Sequence, residues 1–185
     1  METALDRTYR VYRFFLDNFV GYGAAIIMLA SVLLAIFEII RRYIFGMVFD
    51  WGQDAVTYFT VGSIYLYFAV TQARRSHLAV SALMDVCKTK GLQTVVLWVR
   101  LFVTTASMTL YTAIFYWGWS TVGRNMMLER TTQSMVLQIW PFQAILIAGF
   151  VLLAVTCLFQ FYQDLQAVRG KTVFAWAPAE EGLEI

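Results

Sequence analysis

Charge is what this chain has least of. Only 14% of its 185 residues are charged and 60% are hydrophobic, against roughly 25% and 45–50% in ordinary soluble domains. So few charges cannot build the polar shell that a water-soluble domain of this length needs. The net charge of +2 leaves no basic field of the kind that binds nucleic acid. Two cysteines, Cys87 and Cys157, offer no zinc spacing, no redox pair and no disulfide framework. The single histidine, His77, excludes bis-histidine haem ligation or a His-rich metal cluster supplied by this chain alone. Catalytic signatures are missing as well: there is no HExxH, no GxSxG, no GxxxxGK[ST], and no pair of carboxylates within an apolar run. The sequence therefore predicts neither an enzyme nor a resident cofactor or metal.

What the chain does have is long apolar runs. Four stand out, Phe19–Ile40, Ala55–Ala73, Leu101–Val122 and Phe142–Tyr162, of 22, 19, 22 and 21 residues. Each is long enough to cross a hydrocarbon core about 30 Å thick as a helix. Lipid offers no hydrogen bonds, so the backbone of such a run must satisfy itself, and helix is the form that does so. Trp51, Trp98, Trp117, Trp119 and Trp140 fall near the run ends, at the headgroup level that indole prefers. Pro141 stands at the first turn of the fourth run, where its missing N–H does no harm. The reading is a single all-α integral membrane domain over residues 1–185, with four transmembrane helices.

Basic residues predict its orientation. Arg7, Arg10 and Arg13 precede the first run; Arg74, Arg75, Lys88, Lys90 and Arg100 follow the second; Arg169 and Lys171 follow the fourth. The other two connections hold only Arg41, Arg42, Arg124 and Arg130. By the positive-inside rule both termini are cytoplasmic. The first run is too long for a signal-peptide h-region and lacks an A-x-A-like exit.

Two connections carry helical periodicity. Leu5, Tyr9, Val11, Tyr12, Phe15 and Leu16 share one side of a helical wheel, with Asp6, Arg7, Arg10, Arg13 and Asp17 on the other. Val80, Leu83, Met84 and Cys87 likewise oppose Ser81, Asp85 and Lys88. Both segments, about 5–17 and 78–89, read as short amphipathic helices in the cytoplasmic interface. The alternative is that they extend the neighbouring spans inward. The acidic tail, 173–185, reads as loose.

Polar groups within the runs are few. Glu38 is the only Asp, Glu, Lys or Arg among them, three and four residues before Arg41 and Arg42, which is the spacing of a helical ion pair. Arg100 at the mouth of the third run reads as a snorkelling side chain. Ser31, Thr60, Ser63, Thr105, Thr109 and Gln143 suit hydrogen bonds between helices. A transporter acting alone shows ionisable groups or broken helices at the midplane. Four spans without them point to a scaffold, or to part of something larger. Two rival readings are a membrane anchor for a redox enzyme, with His77 as one haem ligand, and a self-sufficient homodimeric transporter using Glu38.

The second run is flanked by an ordered set of short elements. Arg42-Tyr43-Ile44-Phe45 and Trp51-Gly52-Gln53-Asp54 precede it, and Arg74-Arg75-Ser76-His77-Leu78-Ala79-Val80 follows it. Across roughly residues 18–162 this resembles the small membrane subunit of tripartite ATP-independent periplasmic (TRAP) transporters. That family shows an R-Y-x-F element, a tryptophan followed by acidic residues, and a basic residue shortly before H-[IL]-x-V. Here Gln53 stands where the family often has a first acid, and Arg74 and Arg75 precede the histidine by three and two residues rather than four. The resemblance implies a bacterial inner-membrane, multi-pass small permease. It implies a large membrane subunit that carries the substrate and sodium sites and moves as an elevator, and a periplasmic binding protein that delivers a small carboxylate or similar anion. It gives Arg42, Tyr43, Trp51, Asp54, Arg74 and His77 the role of motif and subunit-contact residues. No substrate site is expected on this chain.

Overall fold

The structure, a computed structural model, describes residues 2–74, 93–134, 136–170, 173–174 and 176. Helix α1 (Glu2–Phe15) passes through a π-helical turn (Leu16–Val20) into α2 (Gly21–Phe45). Then come α3 (Gly52–Ala73), α4 (Gln93–Met127) and α5 (Trp140–Val168). Among the described residues the only β pairing is an isolated bridge between Thr131 and Gln138. Glycines close two of the helices. Gly46 ends α2 in the left-handed region at φ 65°, which costs glycine nothing. Gly170 does the same just beyond α5, at φ 75°. Pro141 lies in the first turn of α5.

Among the described residues three helices are long and apolar enough to cross a membrane: Ala4–Phe45, Val95–Met127 and Trp140–Val168. They contain the first, third and fourth expected spans and run beyond them at both ends. The second expected span falls in α3, which is not among the three. Its 22 residues include Thr57, Thr60, Ser63, Thr71, Gln72 and three tyrosines.

The expected interfacial segment 5–17 is not separated from the first span by any coil. Helical geometry continues from Glu2 to Phe45, and the π turn absorbs the adjustment between the two parts. The segment 78–89 lies outside the described residues. The start of the tail, expected to be loose, is held instead. Phe174 is 4% exposed and its ring lies 4.8 Å from Tyr9 and 6.2 Å from Tyr162. Trp176 lies 5.3 Å from Tyr9. Aromatic rings on α1 and α5 supply an apolar seat that a composition reading of the tail does not reveal.

The four long helices stand in a row, α2 beside α3, α3 beside α5, and α5 beside α4; the other pairs barely touch. Small residues permit the close contacts. A Cβ on Gly149 of α5 would sit 2.9 Å from the Tyr65 carbonyl oxygen of α3. One on Gly62 would meet Ile145 at 3.3 Å, and one on Gly118 would meet Ile147 at 3.1 Å. Small residues at helix crossings are the usual device of packing in lipid, where burying Leu against Leu gains little. The main core (Leu16, Ala69, Ala73, Phe150, Leu153) gathers where the π turn meets α3 and α5. Large apolar side chains, such as Phe19 in the π turn, Tyr22, Ile26, Leu33 and Phe37 on α2 and Phe102, Tyr116 and Trp117 on α4, are exposed. Polar and small groups sit in the seams and apolar bulk faces out, as expected when the solvent is hydrocarbon.

Candidate functional site

The charged and polar residues collect at the two ends of the row. At the end that carries the α2–α3 and α4–α5 connections, two acids converge on the first turn of α3. The Glu38 carboxylate rests against Gly52, where a Cβ would come 2.7 Å from Oε2. A carboxylate there is favoured by the unsatisfied N–H groups and dipole of the helix start. This corrects the expected pairing of Glu38 with Arg41 or Arg42. Among the described residues Glu38 makes no ion pair, and the Arg41 guanidinium lies 3.8 Å over the Phe49 ring instead. Phe49 in turn lies 5.2 Å from Trp51, so Trp51 belongs to this cluster. Arg42 and Tyr43 are exposed, Tyr43 at 83%, and take no part in it.

Asp54 holds the other connection. Its Oδ2 accepts the Ser134 backbone N–H at 2.9 Å, and the Thr132 and Ser134 hydroxyls lie 2.9 Å apart beside it. The Ser134 hydroxyl, then the Thr132 hydroxyl, then the Ser134 N–H stabilise the carboxylate and hold its pKa below the ordinary aspartate value. The loop is tightened by Thr132 N–H to the Leu137 carbonyl at 2.7 Å and Ile139 N–H to the Arg130 carbonyl at 3.0 Å. Asn125 donates to Gln143 at 2.8 Å and ties the end of α4 to the start of α5. Asp54 thus fixes the α4–α5 loop to the beginning of α3.

At the other end Arg74 pairs with Asp17 at 3.4 Å, and Arg13 pairs with the same carboxylate at 3.6 Å. Arg13 also donates to the Ala73 carbonyl, in the last turn of α3. The expectation that Arg13 lies on the polar, solvent-facing side of α1 is corrected here, since it is 9% exposed. The orphan carbonyls and negative dipole end of α3 need a donor, and α1 supplies it. His77 lies outside the described residues. Asp54 and Arg74 are 20 residues apart on or just beyond one helix, about 30 Å, so the motif residues cannot form one compact site.

Several polar contacts cross the helix seams that the apolar runs do not reveal. Gln72 Nε2 donates to Gln160 Oε1 at 2.8 Å, and Gln160 Nε2 donates to the Gln72 carbonyl. Thr104 of α4 donates to Asp164 of α5 at 2.7 Å, with Asp164 1% exposed. The Tyr12 hydroxyl donates to the Leu152 carbonyl at 2.7 Å and lies 3.1 Å from Thr156 Oγ1. The available signal is the four-residue spacing of Thr156, Gln160 and Asp164 on an otherwise apolar helix. Asp164 escapes a reading by apolar runs because it stands two residues beyond the fourth run. Among the described residues no three His, Cys, Asp or Glu side chains are grouped to hold a metal.

These contacts align helices. A row of long apolar helices with polar seams and charged ends defines a multi-pass membrane protein. Residues 31–167 match the family described as tripartite ATP-independent periplasmic transporters, DctQ component, and the chain belongs to that family, the small permease component of TRAP transporters. No curated protein and no solved structure matches it.

Proposed function

We propose that this chain is the static scaffold subunit of a sodium-driven, binding-protein-dependent TRAP transporter in a bacterial inner membrane. A large elevator-type subunit would carry the sodium and substrate sites, and a periplasmic protein would deliver a small organic anion, in our reading a carboxylate. The observation that carries this reading is the helix row. Its two broad faces are apolar, its polar groups are spent on fixing helices to one another, and its charges sit at the ends. Such a shape suits lying against another membrane protein and holding level in the bilayer.

In the same reading α3 is the second of four spans. It is about 33 Å long and is flanked by α2 and α5 along its length, from Val56 beside Ser31 to Gln72 beside Gln160. Both termini are then cytoplasmic, and the Asp54–Ser134 end is periplasmic. The motif residues Arg42, Tyr43, Trp51 and Asp54 on that side, and Arg74 and His77 on the other, keep the scaffold geometry and its docking.

The test is co-purification with the co-expressed large subunit, alongside uptake into liposomes. Asp54→Asn and His77→Ala should each lower recovery of the pair more than they change apparent substrate affinity. Normal recovery with transport abolished overturns the scaffold assignment. Cysteines placed at Gln53 and Glu129 should react with an impermeant reagent on intact cells; no reaction reverses the topology.

A further inference from the structure

One cation on α1 is not used by the fold. Arg10 is engaged by Asp6 at 3.5 Å and by the Trp176 ring at 5.3 Å. Arg13 and Arg74 share Asp17. Arg7 is exposed and, among the described residues, forms no hydrogen bond or ion pair. It stands at the rim of a shallow groove of about 570 Å³, lined also by Thr8, Val11, Tyr12 and Phe15.

The groove opens onto apolar surface. Val11 and Phe15 lie four and eight residues after Arg7 and line the same groove, not the opposite side of the helix as the wheel expects, and both are exposed, as is Phe19. The Phe15 and Phe19 rings stack at 5.9 Å, so this stripe passes unbroken across the π turn. It continues on α2 through Tyr22, Ile26 and Leu29, all exposed, on a helix apolar enough to cross the membrane. From Arg7 to Phe19 the stripe is about 18 Å long, close to the thickness of one leaflet, about 15 Å. A cation at the polar end of a leaflet-long apolar groove matches the two parts of a phospholipid.

We infer that Arg7 and the Val11–Phe15 groove form a binding site for an anionic phospholipid, with the phosphate on the Arg7 guanidinium and an acyl chain along Val11, Phe15 and Phe19. A guanidinium donates two parallel N–H groups to phosphate oxygens and holds them better than a point charge does. An arginine at this rim can lay its methylenes on apolar surface while its head reaches the interface. The occupant is a lipid rather than a soluble phosphate because Val11 and Phe15 offer a phosphate ion nothing. Continuity with the exposed face of α2 favours lipid over protein, since the same stripe continues into the bilayer. The inference requires α2 to be in the membrane and does not depend on the scaffold role.

The full chain, reconstituted in vesicles of equal parts phosphatidylglycerol and phosphatidylcholine and released into detergent, can be weighed with its retained lipid by native mass spectrometry. Wild type should retain phosphatidylglycerol in preference to phosphatidylcholine. Arg7→Gln should cut that preference about fivefold, Arg7→Lys should keep most of it, and Arg124→Gln, at the opposite end of the row, should leave it unchanged. Equal loss in Arg7→Gln and Arg124→Gln would mean bulk charge and overturn the site. Displacement of the lipid by inorganic phosphate would make it a soluble-anion site. Loss of retained phosphatidylglycerol on co-expression with the large subunit would give the groove to a protein. Each result leaves the co-purification test of the scaffold reading standing on its own.

Discussion

Helices α2 and α3 are antiparallel neighbours of similar length, 25 and 22 residues, yet they are solvated in opposite ways. Along α2 only Gly21, Ala24 and Ser31 are buried, and its large apolar side chains face outward. In α3 the buried residues include Gly62, Ser63, Ala69, Val70, Gln72 and Ala73, and helices flank it on both sides. The helix richer in apolar residues is the less buried one. In water that ranking would be reversed. Here hydrocarbon solvates α2, while α3 gives up hydropathy for hydrogen bonds and close approach, such as Ser31 with Thr60 at 2.7 Å.

Glycine substitutions test this contrast most severely. Gly149→Ala forces a methyl against the Tyr65 carbonyl of α3, and backbone cannot step aside as a side chain can. The loss should be about 1–3 kcal/mol, read from unfolding in mixed micelles by circular dichroism. Gly23→Ala on α2 has nothing within 4 Å of the new methyl. It should instead be neutral or stabilising by about 0.5–1 kcal/mol through helix propensity. Equal losses at both positions would mean that α2 is as tightly packed as α3.

The polar seam comes next. Gln160→Leu removes both hydrogen bonds with Gln72. Interhelical bonds in membranes average about 0.6 kcal/mol and reach about 1.7, so a loss near 1 kcal/mol is expected in the same assay. The seam was legible only in part. Ser31 and Thr60 were marked as interhelical donors and do meet each other, whereas Thr105 and Thr109 bond to their own helix, at the Leu101 and Thr105 carbonyls. All four look alike in sequence, because which face of a helix meets protein rather than lipid is not written in its hydropathy.

Asp54 should give a smaller, pH-dependent effect. Its folded pKa is lowered by Ser134 and Thr132, so its contribution is complete above the ordinary aspartate value, about 3.9. That contribution is lost as pH falls through the lowered folded value. Wild-type thermal stability should therefore drop in acid by more than that of Asp54→Asn, which lacks the charge at every pH. Identical pH profiles would mean that the α4–α5 loop is not held by the carboxylate. The smallest effect belongs to the exposed face of α2: Leu29→Ala should change stability by less than about 0.5 kcal/mol, because lipid replaces the lost contacts. A loss like that of a buried leucine, about 2–5 kcal/mol, would reveal a covered face.

The sequence by itself determined that the chain is helical, that hydrocarbon is its solvent, and where α2, α4 and α5 lie. A run of 20 or so apolar residues is a local property, and in lipid it has one backbone solution. The short elements around α3 were also local, and they pointed to the family that residues 31–167 match. Tertiary structure alone decided the neighbour order of the row, the burial of Arg13 and Asp164, and the move of Glu38 from its expected arginine partners to Gly52. Each of these depends on which helix end or seam another segment reaches. In a bilayer, apolar periodicity does not record that choice, because lipid and protein satisfy a leucine equally well.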